Sequence, residues 1–285
     1  MGTLLDDDMY GRLYNNMFIF DLEYIGTSTN LNTCHIWEIG MVHWTTGASF
    51  SITIRPDIYP YPPPFSKDFI QLTSAILTDR QAVDFNTAWN KVLHWMHTLV
   101  IHTANVVLVA HNSFKADKPM LEIDTKRHGV TIPYNWYFLD SLMYCRKMIP
   151  KLQSYTLGDI YTSLFDTGIE DAHQALPDAV ALRNILIKVN ACITGPIYPS
   201  YSTPLQVVKW LGPSCEGVLF QHNILSLQQL ILAIMTSYST TCLSGSIPPI
   251  RYFVEQYLVT QFGINQGNST SIADSLVNRW LPGTV

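Results

Sequence analysis

The sequence predicts a mixed-sheet α/β domain over residues 1–194, followed by a small helical domain, 195–285. Three observations point there. Strand-like runs come first and then alternate with helix-like runs, the order expected of a sheet with helices on its faces. A stretch dense in turn formers, Thr194-Gly-Pro-Ile-Tyr-Pro-Ser-Tyr-Ser-Thr-Pro204, divides the chain. Beyond it, Leu205 to Trp280 reads as several helices, with three basic and three acidic residues between 195 and 285. So little charge suggests that this part packs against something: the first domain, a second copy or another protein.

Met17 to Phe20 is a short apolar run and reads as a buried strand. It ends in Asp21 and Glu23, which alternation turns to one side. Two carboxylates on one face at a buried strand end repel each other and are costly to desolvate. A magnesium or manganese ion, which prefers oxygen ligands, relieves both costs. The alternative is a pair of solvated acids. His35 to Trp44 reads as a second strand, Thr45 to Gly47 as a turn and Ala48 to Arg55 as a third strand. Pro56 to Pro64 holds five prolines and reads as an extended connector.

Ser66 to Thr78 suggests a short helix. Phe85 to Thr103 suggests a longer one, with Ala88, Val92, Trp95, Met96 and Leu99 at helical spacing. Asn105 to Ala110 is a buried strand running into His111-Asn-Ser-Phe-Lys-Ala-Asp117. Asp117 then opens a helix reaching His128, with Pro119 in its first turn. Trp136 to Leu139 is another strand, Ser141 to Met148 a helix, and Ser154 to Tyr161 the start of one more. Ala172 to Ala191 reads as a long amphipathic helix, with Leu176, Val180, Leu182, Leu186 and Val189 on its apolar side.

Composition narrows the function. A net charge of −5 argues against wide tracking of a nucleic-acid backbone but leaves room for a small cationic patch. The five cysteines stand singly without a Cys-x-x-Cys, which excludes a zinc knuckle or ribbon. Their odd number, with no targeting pattern in Met1 to Asp8, predicts free thiols and an intracellular location, cytoplasmic or nuclear. No apolar run is long enough to span a membrane, so no membrane association is expected.

Four acids and a histidine stand out on this framework. Asp21 and Glu23 end the first strand, Asp117 opens a helix, and His173 and Asp178 lie on the long helix, five residues apart. Five residues turn a helix through about 140°. Both therefore border one cleft only if His173 sits at the frayed start. Four acids and a histidine in one cleft outline a two-metal hydrolase, with two cations about 4 Å apart on a phosphodiester. His173 is suited to deprotonating the attacking water.

The ordered set of motifs resembles the DnaQ-like 3′-to-5′ exonucleases of the DEDDh group. Phe18-Ile-Phe-Asp-Leu-Glu23 is similar to that family's first motif and Glu38-Ile39-Gly40 to its second strand. Leu72-Thr-Ser-Ala-Ile76, Val109-Ala-His-Asn-Ser113 with Asp117 to Leu121, and Asp140-Ser-Leu142 follow in the family's order. His173-Gln-Ala-Leu-Pro-Asp-Ala179 is similar to its His-x-Ala-x-x-Asp motif. The resemblance covers about residues 16–192. It implies a ribonuclease H-like fold with a mixed five-stranded sheet flanked by helices. It further implies two magnesium or manganese ions held by Asp21, Glu23, Asp117 and Asp178, and His173 as base. Single-stranded DNA or RNA 3′ ends are the implied partners, the terminal nucleotide lying near Tyr24, Ile25 and Asn112. Tyr24-Ile25 and Ala116 depart from the usual pattern. A scaffold protein that uses the same fold without turnover is the alternative.

Lys115, Lys118, Lys126, Arg127, Arg146, Lys147 and Lys151 form either a phosphate-binding rim or a solvated helix face. In the C-terminal part, Leu211 to Leu219 and Ile224 to Leu230 look similar to a helix-hairpin-helix, with Gly212 as its turn glycine. A packing or oligomerisation role, with a second copy or a protein partner, is the other reading of residues 195–285.

Overall fold

The computed structural model describes residues 3–4, 16–26, 31–62, 70–101, 104–189, 196–199, 205–243, 245 and 247–281. The chain divides into two compact units. One is Leu4–Ser200; the other is Tyr201–Val285 together with Met1–Thr3.

The sheet contains β1 (Thr3–Leu4), β2 (Met17–Ile25), β3 (His35–His43), β4 (Ser49–Thr53), β5 (Val106–Ala110), β6 (Trp136–Asp140) and β7 (Pro196–Pro199). Its order is β1-β7-β6-β5-β2-β3-β4. The five longer strands form the expected mixed sheet. β2–β3 and β3–β4 are antiparallel, while β2–β5 and β5–β6 are parallel. The two short strands were not expected. β7 falls inside the turn-rich stretch and pairs antiparallel with β6. Four residues bounded by prolines are too few to show a period of two.

Helices α1 (Ser74–Asp79), α2 (Phe85–His97), α3 (Asp117–Arg127), α4 (Ser141–Met148), α5 (Leu157–Phe165) and α6 (Ala175–Lys188) complete the larger unit. Side chains cap several of them. Thr73, Asp84, Asp140 and Thr156 each accept a backbone N–H in the first turn of α1, α2, α4 and α5. Three expected boundaries move. α1 begins at Ser74, and residues 66–69 of the expected Ser66–Thr78 helix lie outside the described residues. α2 stops at His97, where the Thr98 hydroxyl donates to Trp95 and the chain tightens into a turn. α6 begins at Ala175 rather than Ala172, which leaves His173 outside the helix.

Alternation along β2 sorts the core into two layers. Phe18, Phe20 and Leu22 pack with α2 and α3 residues on one face. Met17 and Ile19 pack with Ala179, Leu182, Ile185 and Leu186 of α6 on the other. Asp21 and Glu23 continue the Met17–Ile19 row, so they lie on the face that α6 covers.

In the second unit, a 3-10 turn (Leu205–Val207) precedes α7 (Pro213–Gln221), α8 (Leu227–Leu243), α9 (Ile250–Phe262) and α10 (Gln266–Arg279). They share a core that includes Leu219, Leu230, Ile234, Val254, Leu258, Ile272 and Leu276. Gly212 is the residue before α7, not the turn between α7 and α8. No helix of the described residues is long and apolar enough to cross a membrane.

Candidate active site

Asp21 and Glu23 do not end their strand, which continues through Tyr24 and Ile25. Pairing with β3 explains the extension. Asp21 stands opposite Gly40 and Glu23 opposite Glu38; the register then slips by one residue, and Tyr24 meets Ile36. Such a bulge re-aims the strand beyond the acids.

Gly40 brings the fourth acid to them. A Cβ at that position would lie 2.2 Å from the carbonyl carbon of Ala175, the first residue of α6. The absent side chain therefore lets the helix start lie directly on β3, beside the Asp21–Gly40 pair. Asp178 sits in this first turn of α6, where the helix dipole favours an anion. One oxygen each from Asp21, Glu23 and Asp178 lies within 4.8 Å of the other two.

Asp117, at the start of α3, is buried. Its own backbone N–H and that of Leu22 on β2 act to lower its carboxyl, against the rise that burial imposes. It lies outside the 4.8 Å group, yet it is the charge that acts most strongly on Asp21. Asp140 shapes the loop that delivers it. Its Oδ1 accepts the Asn112 N–H at 3.0 Å and the Leu142 N–H at 2.9 Å, and its Oδ2 accepts the Phe114 N–H at 3.2 Å.

His173 lies two residues before α6 in a left-handed conformation, φ 64°. Its N–H donates to Asp178 Oδ2 at 3.2 Å, so the histidine folds back over the helix start. This meets the condition that the five-residue offset imposed. Asp178 Oδ1 is buried with no hydrogen-bond partner.

Electrostatics mark the cluster. Burial, then Asp117, Glu23, Asp178 and Glu38, hold the Asp21 carboxyl well above its ordinary value. Burial, then Asp178, Glu38 and Asp117, push Glu23 up to about 8. Burial likewise raises Asp117 to about 7, with Asp140 adding to the rise. Asp178 is raised mainly by burial, against the N–H and charge of His173. A divalent cation would lower all four. The residues fit such an ion: oxygen donors only, mutually repelling, and one buried oxygen left without a partner.

The other expected residues divide. Burial, with Asp117 and Cys34 next in effect, pushes the Tyr24 hydroxyl up to about 12. Asn112 adopts φ 59° at the start of the Asp117 loop. The Ile25 side chain is buried among Trp37, Leu72 and Leu77, leaving only its backbone to meet a ligand. The basic rim loses two members. Lys118 is buried, 2.7 Å from Glu122 and over the Phe138 ring, while Arg127 pairs with Asp124 and donates to Asn32 O. Glu38 received no role from the sequence. Its one local signal is an acid inside an otherwise apolar strand.

A mixed sheet carrying acids on β2, with further acids at the starts of α3 and α6, is the arrangement that the resemblance to the DnaQ-like, ribonuclease H-like exonucleases implies. The RNase_T family model, described as Exonuclease, matches residues 18–186, more than half of the chain, and the chain belongs to that family. Two solved structures are similar at 17% identity and a TM-score of 0.48, each over 63% of this chain. One is cell-death related nuclease 4, of which 65% is covered, so this chain spans less than two thirds of its length. The other is the nuclease domain of 3′hExo, a DEDDh family member bound to rAMP, of which 94% is covered. No curated protein sequence matches.

Proposed function

We propose that the protein is a 3′-to-5′ exonuclease that releases nucleoside monophosphates from single-stranded or frayed DNA or RNA ends. The observation that carries this reading is the convergence of Asp21, Glu23 and Asp178 oxygens within 4.8 Å, with His173 folded back beside Asp178. Asp21, Glu23, Asp178 and the neighbouring Asp117 would hold two magnesium or manganese ions. Bound there, the ions would polarise the scissile phosphate and neutralise charge on the leaving oxygen. His173 accepts a proton from the water that attacks phosphorus. The bond from phosphorus to the 3′ oxygen of the penultimate sugar breaks. That oxygen takes a proton, leaving a new 3′ hydroxyl and a free 5′-monophosphate. Tyr24, the backbone at Ile25 and Asn112 border the terminal nucleotide. The helical unit that begins at Tyr201 packs against a partner or a second copy.

The test uses DNA and RNA strands labelled at either end, with magnesium, manganese or EDTA, and compares wild type with Asp21→Ala and Asp178→Ala. Metal-dependent shortening from the 3′ end, absent in both variants, is expected. Binding without shortening by wild type would overturn the reading in favour of a scaffold.

A further inference from the structure

We propose that Glu38, acting through Arg80 and Gln174, is the positioning residue that holds the His173–Asp178 segment over the acids. The inference rests on the exonuclease reading above and adds to it a residue that makes no contact with substrate.

Glu38 is a buried acid on the face of Asp21 and Glu23, which invites its assignment as another metal ligand. Among the described residues, the oxygens that converge within 4.8 Å are those of Asp21, Glu23 and Asp178, and Glu38 is turned to protein groups instead. Oε1 accepts the Ser51 hydroxyl at 3.4 Å and pairs with Arg80 Nη1 at 3.4 Å. Oε2 accepts the Ala175 N–H at 3.3 Å. Both oxygens are therefore committed to holding protein groups.

The Ala175 bond supplies what α6 lacks locally. Gln174 is the residue before the helix, but its side chain makes no capping bond. Glu38, 137 positions away, accepts the first N–H of the helix in its place. The Gln174 side chain is held elsewhere, its Oε1 accepting Arg80 Nη2 at 3.2 Å. Arg80 thus bridges Glu38 to the residue next to His173, and its guanidinium lies 5.5 Å from the centre of the Trp37 ring. The backbone at Arg80 is fixed as well, its N–H donating to Ile76 and Thr78 at the end of α1.

His173 is consequently gripped from both sides. Asp178 holds its N–H, and the Glu38–Arg80–Gln174 chain holds its neighbour. A non-glycine residue at φ 64° persists only where its surroundings over-determine it. Burying a carboxylate opposite Glu23 is costly, and fixing this turn gives that cost a structural return.

The test compares Glu38→Ala, Glu38→Gln, Arg80→Ala, Arg80→Lys and Gln174→Ala with wild type on one 3′-labelled strand. Amide hydrogen exchange at His173 and Ala175 is followed in parallel in the metal-free protein. Arg80→Ala replaces a partly exposed side chain and keeps the test independent of folding. Glu38→Ala and Arg80→Ala should lower kcat on the order of 10²-fold with KM within about twofold, as a misplaced base does. Glu38→Gln and Arg80→Lys should recover part of the loss. Exchange at His173 and Ala175 should quicken in both alanine variants, and Arg80→Ala and Gln174→Ala should combine non-additively. Unchanged kcat and exchange in folded Glu38→Ala and Arg80→Ala would overturn the inference. So would losses that merely track the unfolded fraction. A wild type inactive on both polymers would overturn the exonuclease reading alone, and the exchange data would still judge the brace.

Discussion

Glu23 and Glu38 face each other directly across the antiparallel β2–β3 pair, two buried carboxylates on adjacent strands. Like charges so placed destabilise a sheet. Replacing Glu23 with glutamine should therefore stabilise the metal-free protein by about 1 kcal/mol, or ~2–4 °C in Tm for a domain of this size. The same change should reduce exonuclease turnover by roughly 10³-fold or more, the scale of losing a group that acts in the transition state. Calorimetry and the end-labelled assay, run on one preparation, check both signs.

The raised acids give stability a definite pH dependence. Glu23 ordinarily titrates at 4.5 and is pushed up to about 8, and Asp117 moves from 3.8 to about 7. Each holds a proton in the folded chain over a range where the unfolded chain has released it. Their contribution is fully present below the ordinary values and is lost as pH rises through the folded ones. Metal-free protein should lose Tm steadily between pH 5 and pH 8. Saturating magnesium or manganese should raise Tm most at pH 8, where proton release opposes binding least. Thermal scans in EDTA and in metal across this range decide the matter, and a flat EDTA profile would sink the electrostatic account.

Gly40→Ala should silence the site without touching an acid. The new Cβ would lie 2.2 Å from the Ala175 carbonyl carbon, which is backbone and cannot rotate aside. The helix start must lift, at a cost of about 1–3 kcal/mol. Manganese affinity measured by titration calorimetry should fall together with activity, while α6 remains helical by circular dichroism.

Asp140→Ala should loosen the Asp117 loop. Three backbone N–H groups, of Asn112, Phe114 and Leu142, lose their acceptor. Leaving buried donors unpaired costs about 1–3 kcal/mol each at most. Urea denaturation should register a total loss of ~2–4 kcal/mol, since Asn112 and Leu142 reach water more easily than Phe114. Asp140→Asn, which keeps one acceptor oxygen, should lose less.

What the sequence reveals of this site follows how local each determinant is. Asp21 and Glu23 are legible because Met17 and Ile19 share their alternating row, and that row is visible in nine residues. The continuation of β2 through Tyr24 and Ile25 is not, because it depends on a register slip against β3. Helical spacing carries the long helix back to Ala172, yet it starts at Ala175, where Gly40 and Glu38 on a distant strand receive it. The Arg80–Gln174 bond spans 94 positions and leaves no local signature. Lys118 looks like surface charge in the sequence; only the fold turns it inward to Glu122 and Phe138.

The segment that follows Arg80 also bears on how the protein behaves among its own copies. β4 is the last strand of the sheet, the place where a foreign strand could add on and begin aggregation. Val83 occupies part of that edge from within, bridging to Ile54: its N–H donates to Thr53 O at 3.1 Å and its carbonyl accepts the Arg55 N–H at 2.7 Å. Those backbone groups are withheld from intermolecular pairing. A deletion or cleavage between Arg80 and Val83 would therefore do more than release the His173 turn; it would leave an adhesive border on a sheet otherwise sealed there.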